Sequence, residues 1–449
     1  MAPDATPSTP PDGETDPFTL AAQQRWLDLA RLGKDAWNTW AEEELKKPLE
    51  ERATVDLSGQ NIGHGEFDGF VFPGAVDFRR AIFDGHTIFQ SATFEGLADF
   101  RNATFESHAD FERATFKSSV AFFKATFMGD ANFLSATFKG NGHFLMATFM
   151  GIADFLSATF KGYADFESVT FDRSVQFRSA TFKSDAIFIN VAFKDSIAFY
   201  GVEVTKTLNL SRAHFNESLN ARAAQFKGPA FFAHIDFQRP PDFTSSSFAH
   251  SPSFLGATFA YPLSDHRFKW LWGICAVEDG HEHYRRLKQL AAEAHDYETE
   301  LRLFALETKA KRSYVLTFGN PWHLLSLLLN YLYEWFSDFG QSVMRPGIWL
   351  GLTFAIALYL FAALAGSLGW PWALPGAVWV AAAVNLLPFA GQAVIGREIM
   401  REGLCPAPAD AQDWGCLQAL YAISAVEGLF ALIFLFLIGL GLRNRFRIK

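Results

Sequence analysis

The sequence has few cysteines and no surplus of basic residues. Only three cysteines occur in 449 residues, Cys275, Cys405 and Cys416, too few for a disulfide framework or a structural zinc site. The formal net charge of −9 argues against a nucleic-acid-binding protein, which would carry a basic excess. The sequence also lacks a nucleophile elbow, a phosphate loop and paired metal ligands. We therefore predict neither an enzyme nor a cofactor.

Phenylalanine is the residue in excess, with 49 copies against 10 tyrosines. From Phe72 to Phe259 an apolar residue returns after alternating steps of six and five, and 32 of these 35 positions are Phe. A small residue lies two positions before most of them, giving the pattern A-D-F-x-x-A-T-F-x-G-x. Alternation confined to three residues, followed by a turn, is typical of very short strands. A stack of coils built from such strands is a solenoid.

The alternation places the phenylalanines in the interior of the solenoid. If a coil has 22 residues, the length that the repeat family named below implies, outward residues stack at that interval. Acids and amides would then alternate in one column, and threonines would form others. The predicted column is Asp110, Asn132, Asp154 and Gln176. Representative core positions are Phe100, Phe105, Phe111, Phe116, Phe122 and Phe127.

The repeat resembles the pentapeptide-repeat family, whose unit is A-(D/N)-(L/F)-x-x. The resemblance implies a right-handed, four-sided β-helix with one unit per face. Here every second unit has one extra residue, which we expect at two opposite corners of the coil. Glycines at those places, such as Gly85, Gly96 and Gly129, suggest a positive φ there. Some family members imitate DNA, but 21 acidic against 17 basic residues over 56–259 is a weak bias for such mimicry.

The segments around the solenoid have their own patterns. Residues 1–17 read as a disordered tail without a signal peptide, and residues 18–50 as an N-terminal capping helix carrying three tryptophans at helical spacing. The solenoid is predicted over residues 51–262. Residues 278–314 read as one amphipathic connecting helix. Membrane-attached members of the family carry a similar segment.

Two apolar stretches predict transmembrane helices. Residues 346–370 are uncharged and bracketed by tryptophans, and residues 417–442 end in a basic tail. Residues 318–340 are apolar but short, so we predict an interfacial helix. The alternative is that this segment also spans, in a four-span topology that keeps the two termini on the same side. Positive charge at both distal ends places both termini and the solenoid in the cytoplasm, below the inner (cell) membrane.

The segment between the spans holds the candidate membrane-functional residues. Residues 374–396 are uncharged but interrupted by Asn385, Pro388 and Gly391, which suggests a re-entrant segment, with an interfacial loop as the alternative. Glu427 is the carboxylate inside a predicted span and is a candidate for a pore or ion contact, or for a solvated interfacial acid. Cys405 and Cys416 would face the oxidising side, where a disulfide between them is a further candidate.

Two functions of different classes fit these features. The first is a membrane-anchored scaffold whose solenoid binds an unknown cytoplasmic protein while the spans tether it to the lipid bilayer. The second is a homo-oligomeric ion channel that uses the spans and the re-entrant segment and is gated through the solenoid. The potassium filter sequence T-V-G-Y-G is missing, so ion selectivity is not predicted.

Overall fold

The computed structural model describes residues 17–259, 280–315, 321–367, 374–386, 403–405 and 414–446. The chain divides into two compact units, Met1–Ala310 and Lys311–Lys449. The first unit contains the solenoid and the second is helical. The β-solenoid and the helical C-terminal region predicted from the sequence are both confirmed.

The solenoid is built from 35 strands of two residues each, in four parallel sheets. We name the sheets faces 1 to 4 in the order in which a coil passes through them. Face 1 comprises Val55–Asp56, Val76–Asp77, Ala98–Asp99, Val120–Ala121, Gly142–His143, Ala164–Asp165, Ala186–Ile187, Leu208–Asn209 and Ala230–Phe231. Face 2 comprises Ile82–Phe83, Thr104–Phe105, Thr126–Phe127, Thr148–Phe149, Thr170–Phe171, Ala192–Phe193, His214–Phe215, Asp236–Phe237 and Thr258–Phe259.

Faces 3 and 4 complete the coil. Face 3 comprises Gly65–Glu66, Thr87–Ile88, Ala109–Asp110, Ala131–Asn132, Ala153–Asp154, Val175–Gln176, Ile197–Ala198 and Leu219–Asn220. Face 4 comprises Val71–Phe72, Thr93–Phe94, Thr115–Phe116, Thr137–Phe138, Thr159–Phe160, Thr181–Phe182, Glu203–Val204, Gln225–Phe226 and Ser247–Phe248.

The strand register gives the length of a coil. Ala109 pairs with Ala131 and Thr126 with Thr148, and the same separation of 22 residues joins Asn132 to Asp110. The first coil on face 1 is one residue shorter, because Val55 pairs with Val76. This matches the stretch before Phe72, where the apolar residues return after five residues each time. The four faces and the coil of 22 residues agree with what the family resemblance and the extra residue in every second unit imply.

The phenylalanine rings fill the interior as parallel stacks. Phe105 and Phe127 stack with ring centroids 4.7 Å apart and planes 1° from parallel. Rings from the opposite faces 1 and 3 meet edge to face, as Phe111 and Phe122 do at 5.6 Å. The six representative core positions named above are buried. Burial contributes roughly 1.5 to 3 kcal/mol per phenylalanine, so these stacks are the main stabilising element of the rod.

The corners differ from the prediction in one respect. Positive φ values occur at the corners with no extra residue, between faces 1 and 2 and between faces 3 and 4, where ordinary residues such as Lys124 (φ 56°) and Met146 (φ 58°) adopt them. Gly85, Gly96 and Gly129 do not have positive φ. The expectation for these glycines was therefore wrong.

Close packing between coils explains the glycines instead. A Cβ on Gly151 would lie 2.5 Å from the carbonyl carbon of Gly129 in the preceding coil. A Cβ on Gly96 would lie 2.5 Å from that of Gly74. The longer corner thus brings one backbone against the next, and glycine permits that approach.

Two helices lie against the first coil. Helix α1 is Pro17–Arg31 and helix α2 is Lys34–Leu45, followed by a short 3-10 turn, Leu49–Glu51. The sequence predicts one helix here, but Gly33 adopts a φ of 86° and divides it. The fully buried indole of Trp37 donates a hydrogen bond to the Val71 carbonyl oxygen at 2.8 Å.

Two further helices lie against the last coils, α3 over Gly280–Glu293 and α4 over Tyr297–Val315. The single connecting helix predicted over 278–314 is therefore two helices. His295 has a φ of 56°, and the Asp296 side chain accepts the Thr299 N–H at 3.1 Å, which ends one helix and begins the next. Arg286 donates to the Ser246 carbonyl oxygen at 2.9 Å, so α3 is held to the solenoid.

The second unit contains four described helices. They are α5 Pro321–Ser337, α6 Met344–Leu364, α7 Gly376–Asn385 and α8 Trp414–Phe446. Helix α6 ends before Trp370, where the sequence placed the end of the span. Gly366 (φ 63°) stops it, and the Ser367 N–H donates to the Ala362 carbonyl oxygen at 3.0 Å, a C-terminal glycine motif.

Two of these helices are long and apolar enough to cross a membrane. They are Met344–Leu364 and Gly415–Arg445, and 22% of the apolar window of each is buried. Their large exposed side chains, including Ile348, Ile356 and Phe436, form an apolar surface of the kind that faces lipid. Helix α5 has 17 residues, too short for a full span unless the bilayer is locally thinner.

Candidate functional site

The aspartates of the repeat have a local structural role. On face 1 the Asp99 carboxylate accepts the backbone N–H of Arg101 at 3.1 Å, and on face 3 the Asp154 carboxylate accepts the N–H of Leu156 at 2.9 Å. The side chain thereby closes the turn that follows each strand. An Asn serves equally well, as at Asn132, which accepts the Leu134 N–H at 3.0 Å.

The predicted column on face 3 is present in register. Asp110 pairs with Asn132, Asn132 with Asp154, and Asp154 with Gln176. The Asn132 amide donates to the Asp110 carboxylate at 2.9 Å. In a column made only of acids, neighbouring carboxylates would lie about 4.8 Å apart, and the amide between Asp110 and Asp154 avoids that repulsion.

On face 1, arginines neutralise the stacked aspartates, a contact that was not predicted from the sequence. Asp77 and Asp99 are direct neighbours in adjacent coils. Arg79 contacts both carboxylates, at 2.5 Å and 3.8 Å, and Arg101 contacts Asp99 at 2.6 Å. Hydrogen bonding to Asp99 raises the pKa of the Arg101 guanidinium above its usual value. The signal in the sequence was an arginine two residues after each aspartate.

An exposed apolar patch lies along face 2. Met128 and Met150 occupy the same corner in consecutive coils and are 47% and 45% exposed, and Met146 and Ile152 flank them with similar exposure. The outward threonines of face 2 continue the patch. We call these four residues and the face 2 threonines the Met–Thr patch. Exposed methionines pack adaptably against a partner.

In the second unit the structure brings together two of the predicted membrane-functional residues. The Asn385 amide, at the end of α7, donates to Glu427 Oε2 in α8 at 3.3 Å. Glu427 is 3% exposed and Asn385 is 6% exposed. Among the described residues Glu427 Oε1 has no hydrogen-bond partner. A buried carboxylate oxygen without a donor is costly, which makes Glu427 the candidate functional group of the second unit.

Glu427 also lines a groove between α5, α6 and α8 with a volume of about 550 Å³. Its walls are mainly apolar and include Trp335, Phe336 and Trp349. The size is in the range of small-molecule sites in proteins. Glu427 is predictable as an acid in an apolar span, whereas the aromatic walls come from three separate helices and have no local pattern in the sequence.

The geometry of the solenoid agrees with a comparison against protein families. The family model described as "Pentapeptide repeats (9 copies)" matches residues 67–115, 122–170 and 166–214. The solenoid belongs to the pentapeptide-repeat family. Comparisons with curated proteins and with solved structures gave no match for the chain. The pentapeptide repeats identify the fold of the first unit, and the function must be argued from the surfaces and sites described above.

The remaining candidates of the membrane unit are placed only in part. Pro388 and Gly391 lie outside the described residues, as do all residues from 387 to 396 of the predicted re-entrant segment. Cys405 and Cys416 are joined by a disulfide, with Cα atoms 5.9 Å apart. Among the described residues no group of three or more His, Cys, Asp or Glu side chains could hold a metal ion.

Proposed function

We propose that this pentapeptide-repeat protein is a non-enzymatic membrane scaffold that binds a protein partner through the Met–Thr patch. The observation that carries the proposal is the exposure of Met128, Met150 and Ile152 at one corner of face 2 and of Met146 at its other corner, on a solenoid whose interior is filled by phenylalanine. Because stacked rings occupy the inside of the rod, a partner binds on an outer face.

Charges around the Met–Thr patch indicate the chemistry of the partner. Glu106 occupies the corner position one coil before Met128, and Asp130 lies two residues after it. Both are exposed. We expect a partner surface with an apolar centre and flanking lysines or arginines, since such a surface complements the patch in both respects.

The membrane attachment has a proposed orientation. Arg443 and Arg445 follow the apolar part of α8, and Arg345 lies in the first turn of α6, which favours a cytoplasmic location for these ends. The solenoid and both termini would then be cytoplasmic, and the disulfide between Cys405 and Cys416 would lie on the outer, oxidising side. After reduction, a membrane-impermeant maleimide should label these cysteines in intact cells. Labelling only after lysis would contradict this orientation.

Site-specific photo-crosslinking tests the scaffold. A photoreactive phenylalanine analogue at position 150 should give one discrete adduct in cells, whereas the analogue at Lys161, exposed near face 4, should give none. Met128→Glu combined with Met150→Glu, with the analogue moved to Ile152, should abolish the adduct. If position 150 gives no adduct, or gives the same products as position 161, the patch does not bind a partner.

An oligomeric channel is the second candidate, favoured by the buried contact between Asn385 and Glu427. Two spans in one chain would require several copies around a pore. Planar-bilayer recording of the purified protein tests this function, with Glu427→Gln expected to change conductance. Absence of current under voltage, tension or ligand, or a strictly monomeric mass in lipid, would exclude it.

A further inference from the structure

We propose that the groove between α5, α6 and α8 is a binding site for a lipophilic organic cation, whose positive group contacts Glu427. This site is distinct from the Met–Thr patch and goes beyond the scaffold function. The proposal stands on three observations: an unpartnered buried carboxylate oxygen, an aromatic wall and a cavity of molecular size.

Glu427 is the first observation. One of its oxygens accepts a hydrogen bond from Asn385 at 3.3 Å, and the other has no partner among the described residues although the side chain is 3% exposed. Thr353 also lines the groove, but its hydroxyl donates to the Trp349 carbonyl oxygen at 2.8 Å within α6. That bond uses the Thr353 hydrogen, so Glu427 is the ionisable acceptor among the residues that line the groove.

The aromatic wall is the second observation. Trp335 and Trp349 have ring centroids 4.6 Å apart, and Phe336 lies 5.2 Å from Trp349 and 5.1 Å from Phe434. All four line the groove. Aromatic faces attract cations and contact apolar bodies equally well. Carboxylate and aromatic rings together recognise a molecule that is apolar and positively charged.

The volume of the groove and the Glu427 oxygen argue against a metal ion or a neutral alkyl chain as the occupant. At about 550 Å³ it is much larger than a dehydrated metal ion, which would in addition need several oxygen ligands. A neutral alkyl chain would fill the space but leave the Glu427 oxygen without a donor. An organic cation with an N–H group satisfies both the volume and the oxygen. Any proton held by the carboxyl would leave to water as the cation arrives, which keeps the charge balanced.

Fluorescence titration of the full-length protein in phosphatidylcholine nanodiscs tests the proposal. Ethidium serves as a cationic probe with N–H donors and Nile red as a neutral probe, and empty nanodiscs correct for partition into lipid. We expect saturable ethidium binding that Glu427→Gln weakens at least about tenfold. The same change at Glu334, which does not line the groove, should alter ethidium affinity less than about twofold.

A second variant pair keeps the test decisive if Glu427→Gln does not fold. Trp349→Leu should weaken ethidium binding, whereas Trp379→Leu, outside the groove, should not. Ethidium binding equal to that of empty nanodiscs, or equal affinity in wild type and folded Glu427→Gln, would overturn the proposal. So would Nile red binding with the same dependence on Glu427. Crosslinking at the Met–Thr patch does not involve the groove, so the two proposals can fail separately.

Discussion

The core stacks can be tested with two adjacent phenylalanines of one coil. Phe122 is fully buried, whereas the next residue, Phe123, is partly exposed and carries the Lys124 ammonium group over its ring, at 5.2 Å. Phe122 has six ring neighbours: Phe100 at 4.8 Å, Phe144 at 5.0 Å, Phe111 at 5.6 Å, Phe127 and Phe133 at 5.8 Å each, and Phe116 at 6.4 Å. Truncation of a buried phenylalanine costs about 3 to 5 kcal/mol, and with six ring contacts we expect about 4 kcal/mol for Phe122→Ala. Phe123→Ala should cost under about 1 kcal/mol.

Hydrogen exchange with mass spectrometry measures this cost coil by coil. A loss of about 4 kcal/mol corresponds to roughly thousandfold faster exchange. Because each coil contacts only its neighbours, protection should fall in the coils around residue 122 and persist near both ends of the rod. Equal exchange in the Phe122→Ala and Phe123→Ala proteins would refute the role of the stacks. A uniform loss over all coils would refute the nearest-neighbour argument.

Two further variants test the corners and the columns by the same measurement. Met146→Gly should stabilise its coil by about 1 kcal/mol, because φ is 58° at this position and glycine adopts this φ without strain. Met150→Gly, at an ordinary φ, should instead destabilise its coil by about 0.5 to 1 kcal/mol. Stabilisation by both substitutions, or by neither, would contradict the argument. Asn132→Asp should cost about 1 kcal/mol at neutral pH and low salt, because it sets three carboxylates in one column, and the loss should shrink at high salt. Asn209→Asp, stacked between an isoleucine and a phenylalanine, should be nearly neutral; equal losses at both sites would rule out repulsion in the column.

The architecture of the rod was predictable because phenylalanine returns at a regular spacing in the sequence. One pair of steps, six and five, gives two faces, and the family resemblance implies two such pairs in each coil. The in-register columns follow from that coil length. The conformation of the corners did not follow. Lys124 and Met146 have side chains that do not mark a left-handed backbone, and neighbouring coils impose that conformation on them.

The site in the membrane unit was predictable only as separate residues. Glu427 stood out as an acid in an apolar span and Asn385 as a polar break, but they are 42 residues apart and their contact depends on how α7 packs against α8. The aromatic groove depends in the same way on the packing of α5, α6 and α8. Such contacts are set by three-dimensional packing, which no local pattern in the sequence encodes.

The constant coil length also makes the rod sensitive to the size of any insertion or deletion. Removing one whole coil would shorten the rod by about 4.8 Å and leave every column continuous. Removing half a coil would preserve the packing of rings, because faces 1 and 3 carry the same type of unit, but it would turn all later coils by half a revolution. The Met–Thr patch would then continue on the opposite side of the rod. Only insertions or deletions of whole coils therefore keep the Met–Thr patch on one side of the rod.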